Sequence, residues 1–280
     1  EHPATGGVGG NPKSKIQNPQ SSMGSPKRRR LGQNFLVDRS VADRIAAELL
    51  EDPPRVLEVG PGRGALTEPL LERFERVLAL ELDEKLVLPL QQRFGETGLQ
   101  VLRADALTED LDDMLAADSP WQLASNLPYS VGTAILRRVL PRHDLFSRLV
   151  VMLQREVAAR VVAKPGGSGH GLLALERAAW ADARVVFDVP PRAFKPRPRV
   201  MSSVVVLDLK QPTYSQEVLD EALALASRGL TRARKMLTNA FSPRLEAEQI
   251  EAAGLDPSSR PGTITLAGWV SLAKTLGKAP

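Results

Sequence analysis

Apolar and polar residues follow two rhythms along this chain. At 41–50, VADRIAAELL places apolar side chains at helical spacing, with Asp38 positioned to cap the first turn. Short, nearly continuous apolar runs follow: RVLEVG at 55–60, RVLALEL at 76–82, LQVLRA at 99–104, WQLASN at 121–126 and RLVVML at 148–153. Helical segments separate them around 65–75, 84–94 and 131–140. Strands without a polar face, alternating with helices, predict a parallel sheet covered on both sides. Two further runs, ARVVFDV at 183–189 and SSVVVLDL at 202–209, have no clear helix between them, which predicts an antiparallel pair at the sheet edge. Beyond QPTY at 211–214 the pattern is helical through VLDEALALASRGL, TRARKMLTNAF, RLEAEQIEAAGL and TLAGWVSLAKTL. The expected organisation is α/β over 31–210 with a small all-helical domain over 211–280.

Composition changes this picture at the amino end only. The formal charge is +4, but the first thirty residues hold Lys13, Lys15, Lys27, Arg28, Arg29 and Arg30 against Glu1, which leaves the remainder at −1. A polyanion-binding surface on the folded part must therefore be a local patch. Residues 1–30 are rich in Gly, Pro, Ser, Asn and Gln and read as a disordered basic tail whose KRRR run can grip phosphate. Because Met23 stands inside SSMGS, the stretch before it reads as an upstream extension or a cloning remnant. Cysteine is absent, which excludes disulfides, thiolate metal sites and a cysteine nucleophile. No run approaches bilayer-spanning length, so a cytoplasmic protein acting away from membranes is expected, with monomer as the default state.

Candidate chemistry gathers at strand ends. EVGPGRGALT (58–67) lies where the first apolar strand feeds a helix; Gly60, Gly62 and Gly64 permit a sharp turn and close approach of a ligand to the backbone. GPGRGA also fits the relaxed dinucleotide pattern, so a nicotinamide enzyme stays open, as does a tight turn without a ligand. ELD (81–83) ends the next strand about 20 residues on, where Glu81 is placed to hold a ribose. In RADAL (103–107), Asp105 suits an adenine amine and Ala106 a backbone N–H donor, although an Asp here is also ordinary capping chemistry. NLPY (126–129) combines the Asn126 amide oxygen, the Pro128 carbonyl and the Tyr129 ring, a set that fits a planar base bearing an exocyclic amine. Asn–x–Pro is equally turn chemistry. Two basic patches stand out: Arg192, Lys195, Arg197 and Arg199 in RAFKPRPRV, and Arg228, Arg232, Arg234, Lys235 and Arg244 in a stretch with no acid from 222 to 245. Both suit RNA phosphate, against the alternative of solvated faces.

Seven ordered blocks, QNFLVD (33–38), EVGPGRGALT, ELD, DAL (105–107), NLPY, QREVAARVVAKPG (154–166) and FKPRPRV (194–200), resemble the rRNA adenine N6,N6-dimethyltransferases. That family is similar to other S-adenosylmethionine-dependent enzymes with a Rossmann-like class I methyltransferase sheet. The likeness runs from about residue 30 to the C-terminus and includes LTRARKMLTNAF and GLDPSSRP. It implies S-adenosyl-L-methionine as cofactor, with Gln33, Asn34 and Leu36 closing over it, Gly60 at its methionine portion, Glu81 at its ribose, and Leu82, Asp105 and Ala106 at its adenine. Asn126 would serve both cofactor and base, with Pro128, Tyr129 and a second ring, Phe194, around the target. NLPY rather than NIPY implies the small-subunit enzymes over the large-subunit enzymes of macrolide resistance. The partner implied is small-subunit rRNA within a pre-ribosomal particle, modified at two adjacent adenines near its 3′ end. His170 departs from a Tyr common among relatives and receives no role. DNA adenine or protein glutamine methylation, which resemble D/N-P-P-Y at the tetrapeptide, and a non-catalytic RNA-binding assembly factor are the competing readings.

Overall fold

A computed structural model describes residues 33–242 and 245–277 of the chain. The basic tail over 1–30 and Arg244 lie outside the described residues. The apolar runs form β2 (Arg55–Val59), β3 (Arg76–Glu81), β4 (Leu99–Arg103), β5 (Trp121–Asn126) and β6 (Phe146–Gln154), followed by β7 (Ala181–Val189) and β9 (Ser202–Leu209). They make one seven-stranded sheet in the order β4-β3-β2-β5-β6-β9-β7. The first five are mutually parallel; β9 runs antiparallel to both β6 and β7, as expected of the edge pair.

Helices cover both faces. α1 (Arg39–Ala47) starts at Asp38, whose side chain accepts the Ser40 N–H, and buries Val41, Ala42 and Ile45. α2 (Thr67–Leu71) leaves the glycine loop, α3 (Glu84–Phe94) is capped by Asp83, α4 (Leu111–Leu115) by Asp110, and α5 (Gly132–Val139) begins directly after the NLPY tetrapeptide. One core cluster lies between sheet and helices around Leu57, Leu123, Leu136 and Trp121; a second, on the opposite face, contains Ile45, Val56, Val77 and Val204. Burying both faces of each central strand is the physical reason those strands carry no polar side.

Three features have no periodic signature in the sequence. α6 (Arg155–Val161) and α7 (Leu172–Trp180) flank the glycine-rich 164–171 loop. β1 (Phe35–Leu36) and β8 (Phe194–Lys195) form a two-stranded antiparallel ribbon, pairing Phe35 with Lys195 and Leu36 with Phe194. The ribbon joins segments about 160 residues apart, and Val37 N–H continues it by donating to Ala193 O (2.8 Å).

Past β9, α8 (Gln216–Leu230), α9 (Leu237–Phe241), α10 (Ala247–Ala252) and α11 (Leu266–Gly277) pack around Trp269 and Leu272, and their cluster includes Leu175 of α7. The expected helix over TRARKMLTNAF is corrected: residues 231–236 form an exposed turn, and only Leu237–Phe241 is helical. Arg228, Arg232, Arg234 and Lys235 would repel one another at helical spacing, and no apolar side chain before Met236 draws this segment inward. Among the described residues no helix is long and apolar enough to cross a membrane, and no group of His, Cys, Asp and Glu is placed to hold a metal.

Candidate active site

The carboxyl ends of β2, β3, β4 and β5 lie side by side, and each delivers one of the expected residues to the same edge. After β2 the chain turns through Gly60 at φ +69, and its N–H donates to Leu80 O (2.9 Å). A Cβ built on Gly60 meets nothing within 4 Å, so the loop leaves open space where a ligand can approach the backbone. Gly64 has the opposite need: at φ +81, a Cβ would come 2.6 Å from Phe94 Cε2. It lets the loop pass against α3.

Glu81, at the end of β3, is 3% exposed. Gly62 N–H donates to its Oε2 (3.0 Å) and Asp83 N–H to its Oε1 (2.8 Å). The carboxylate thus shapes the glycine loop, and its remaining lone pairs can accept both hydroxyls of a ribose. Leu82 beside it is 50% exposed, a large apolar side chain that a planar base would cover. After β4, Leu107 N–H donates to Asp105 Oδ1 (2.9 Å), and the capping role noted for this residue is real. The second carboxylate oxygen remains available to an amine. The Ala106 N–H has no acceptor among the described residues. Open space at Gly60, an unpaired N–H at Ala106, a shaped carboxylate at Glu81 and an exposed leucine together fit an adenosine-bearing cofactor.

Asn34, just before the ribbon, reaches this edge through its carbonyl; Gln33 precedes it in the chain. Asn126 Nδ2 donates to Asn34 O (3.1 Å), which fixes the amide so that its Oδ1 is an acceptor with no donor among the described residues. Leu36 has its side chain buried in the core cluster that holds Val41, so its part at this edge would be played by its backbone. Strand alternation sends its neighbour Phe35 the other way, against the glycine loop, where a Cβ on Gly62 would lie 3.0 Å from Phe35 Cδ1. Arg63 sits over that ring at 4.8 Å. Phe35 carried no signal of its own in the sequence beyond its place in QNFL.

The target-base set needs two corrections, at Pro128 and at Phe194. Pro128 O accepts N–H groups from Val131 (3.1 Å) and Gly132 (2.8 Å), which uses both its lone pairs at the start of α5. The Leu127 carbonyl, one residue from Asn126, has no donor among the described residues. The proline matters through its effect on Leu127, because the residue before proline is held extended and its carbonyl is turned out of the helix. Phe194 is 2% exposed and packs in the core with Leu36, so it presents no second ring to the cleft; pairing with Leu36 in the ribbon draws it inward. Tyr129 is half-buried, and its hydroxyl is hydrogen-bonded to Ser202 Oγ (2.7 Å), with burial pushing the phenol up from its ordinary value. Gly132 is tightly packed, since a Cβ would lie 3.2 Å from Leu127 Cβ.

Beneath the loop, Glu58 is fully buried and accepts from Thr67 Oγ1 (2.6 Å). Burial pushes its carboxyl up to about 8; the Thr67 bond opposes this and the neighbouring Glu81 adds to it. The folded protein therefore keeps a proton that the unfolded chain releases near 4.5. Between these values each pH unit removes about 1.4 kcal/mol of stability, so the contribution is complete below 4.5, lost by about pH 8 and flat above. Glu58→Gln keeps the shape without the titration. Denaturant unfolding is expected to show its stability relative to the unsubstituted protein rising from pH 5 to 8; parallel pH profiles would refute the assignment.

All eight cations proposed for RNA contact, Arg192, Lys195, Arg197, Arg199, Arg228, Arg232, Arg234 and Lys235, are exposed. None is ion-paired among the described residues, whereas Arg39, Arg93, Arg142 and Arg148 are paired with carboxylates. His170, without an expected role, bonds through Nδ1 to Gly262 O (2.9 Å) and ties the 164–171 loop to the segment before α11.

Comparison with known proteins finds relatives over most of the chain. The family described as ribosomal RNA adenine dimethylase matches residues 24–278. The chain is 37% identical over 248 residues to ribosomal RNA small subunit methyltransferase A of Alcanivorax borkumensis, covering 88% of this chain and 89% of that protein. It is 41% identical over 245 residues to the protein of the same name from Phenylobacterium zucineum, covering 86% and 85%. Among solved structures, the 23S rRNA methyltransferase ErmE superposes with a TM-score of 0.66 at 25% identity, over 88% of this chain and 100% of that one. A dimethyladenosine transferase from Plasmodium falciparum superposes at 0.70 and 21% identity, over 85% and 95%, and shares the fold.

Proposed function

The chain belongs to the ribosomal RNA adenine dimethylase family, and from that premise we propose that it converts two adjacent adenines near the 3′ end of small-subunit rRNA to N6,N6-dimethyladenosine, using S-adenosylmethionine. The general activity, rRNA adenine dimethylation, is that of the family. The small-subunit substrate is supported by the names of the relatives and by NLPY. The substrate form is a pre-ribosomal particle, and the working state is a monomer with 211–280 as an RNA-binding domain.

The observation that carries this reading is the tethered amide of Asn126, whose Oδ1 and the Leu127 carbonyl are two acceptors one residue apart at the end of β5. The cofactor supplies an electrophilic sulfonium methyl. An adenine amine is a weak nucleophile because its lone pair is conjugated with the ring. Accepting its two N–H bonds at Asn126 Oδ1 and Leu127 O favours a pyramidal nitrogen, whose lone pair is withdrawn from conjugation and directed at the methyl, and stabilises the positive charge that develops on nitrogen. The product cation is acidic enough to lose its proton to water, so no strong base is required.

Tyr129 provides the stacking face, held by Ser202, and its ring attracts the developing cation by about 0.5–2 kcal/mol. Extruding the base from its stack costs on the order of a few kcal/mol. The unpaired arginines and lysines offset that cost through phosphate contacts. Incubating immature small subunits with the protein and S-adenosylmethionine, then digesting the RNA, is expected to yield N6,N6-dimethyladenosine by mass spectrometry. A protein that binds the cofactor yet leaves adenosine unmodified in both naked RNA and particles would overturn the proposal.

A further inference from the structure

The loop that follows β4 is held from outside by one side chain. Arg138, in the last turn of α5, donates from Nη1 to Ala106 O (2.6 Å) and from Nη2 to Glu109 O. The guanidinium is half-buried and forms no ion pair among the described residues, so its fork is committed to these two carbonyls. Its neighbour Arg137 points elsewhere and pairs with Glu176 (2.7 Å). Inside the loop, Asp105 O accepts the Thr108 and Glu109 N–H groups and Asp105 Oδ1 accepts that of Leu107, which makes the turn itself compact. Nothing in that internal set holds Ala106; among the described residues its N–H has no acceptor and its carbonyl is held by Arg138 alone.

We infer that Arg138 is a positioning residue for the adenine end of the cofactor site, and that it couples this subsite to the target-base tetrapeptide through α5. The inference rests on the proposed use of Asp105 and Ala106 as adenine ligands. A rigid peptide plane between Ala106 and Leu107 fixes the turn that aims the Ala106 N–H and the free Asp105 oxygen, as a planar five-donor fork can do and a point charge cannot. Because α5 begins at Gly132, beside Leu127, the same helix braces both halves of the cleft.

The test compares Arg138→Met, Arg138→Lys and the control Arg137→Met in the full-length protein, by calorimetric binding of S-adenosylhomocysteine and of its inosine analogue, which lacks the amine. The unsubstituted protein is expected to prefer the adenosine form. Arg138→Met is expected to weaken that form about 10-fold, the loss of a charge-assisted bond or two, to leave the inosine form within about twofold and so to shrink the preference. Arg138→Lys should recover part of it, and Arg137→Met should match the unsubstituted protein. In turnover, KM for the methyl donor should rise with kcat within about twofold. Equal weakening of both analogues, or unchanged binding of both, would overturn the positioning role. Failure of the unsubstituted protein to bind S-adenosylhomocysteine would instead overturn the reading of the site itself.

Discussion

Asn126→Ala is expected to lower the single-turnover methylation rate at saturating S-adenosylmethionine by about 10²–10³-fold, the range seen when one preorganised transition-state partner is removed. The side chain does two things in the structure. Its Nδ2 anchors the ribbon residue Asn34, and that anchor leaves Oδ1 as an acceptor beside the Leu127 carbonyl. Alanine removes both, so weakened cofactor binding has to be separated from the loss of chemistry; saturation with the methyl donor does so. Quenched-flow assays on immature small subunits would check the result. A rate within about threefold of the unsubstituted protein would mean that the amine is not bound by this amide.

The second large effect is on binding. Glu81→Ala is expected to weaken S-adenosylhomocysteine about 100-fold by titration calorimetry. Hydrogen bonds to a charged acceptor contribute about 1.5–3 kcal/mol each, and a ribose diol would make two. The substitution also leaves the buried Gly62 and Asp83 N–H groups without their acceptor, which loosens the glycine loop. Glu81→Gln is the gentler variant, since its amide keeps one acceptor oxygen but turns a donor toward one of those N–H groups. Its loss should fall between the two. Affinity within threefold in the alanine variant would remove Glu81 from the ribose subsite.

The two effects are linked by the position of the ribbon. Asn34 belongs to the segment expected to close over the cofactor, yet it is held by the residue expected to bind the target base. On the proposed assignment cofactor and base share a wall, and a substitution on either side is expected to be felt on the other unless one ligand is saturating. The same segment carries Phe35 against Gly62 and Leu36 into the core, so the ribbon packs on the glycine loop and the core at once.

The placement of the candidate residues was legible because local pattern locates strand ends, and in a parallel sheet strand ends are where ligands bind. That Glu81, Asp105 and Asn126 lie along one edge follows from this, as does the open turn at Gly60. The surroundings of Phe194, Leu36 and Pro128 did not follow. Phe194 and Leu36 are drawn inward by pairing across about 160 residues of chain, and two-residue strands leave no periodic trace. Pro128 has a carbonyl in the right place by sequence, but the first turn of α5 claims it, and a helix start one residue later would have left it open. Arg138 was one arginine among many; only the return of α5 across the post-β4 loop makes its fork meet two carbonyls.

By itself the sequence determined the alternation of strands and helices, the carboxylates and amide at the strand ends, and the acid-free basic stretches, because each depends on spacing within a few residues. The tertiary structure alone decided which carbonyl of the tetrapeptide the helix claims, which face of QNFL meets the glycine loop, and which arginine braces the turn after β4. Those outcomes depend on which distant backbone groups have already found partners, and hydrogen-bonding capacity is used up in space, with no regard for order along the chain.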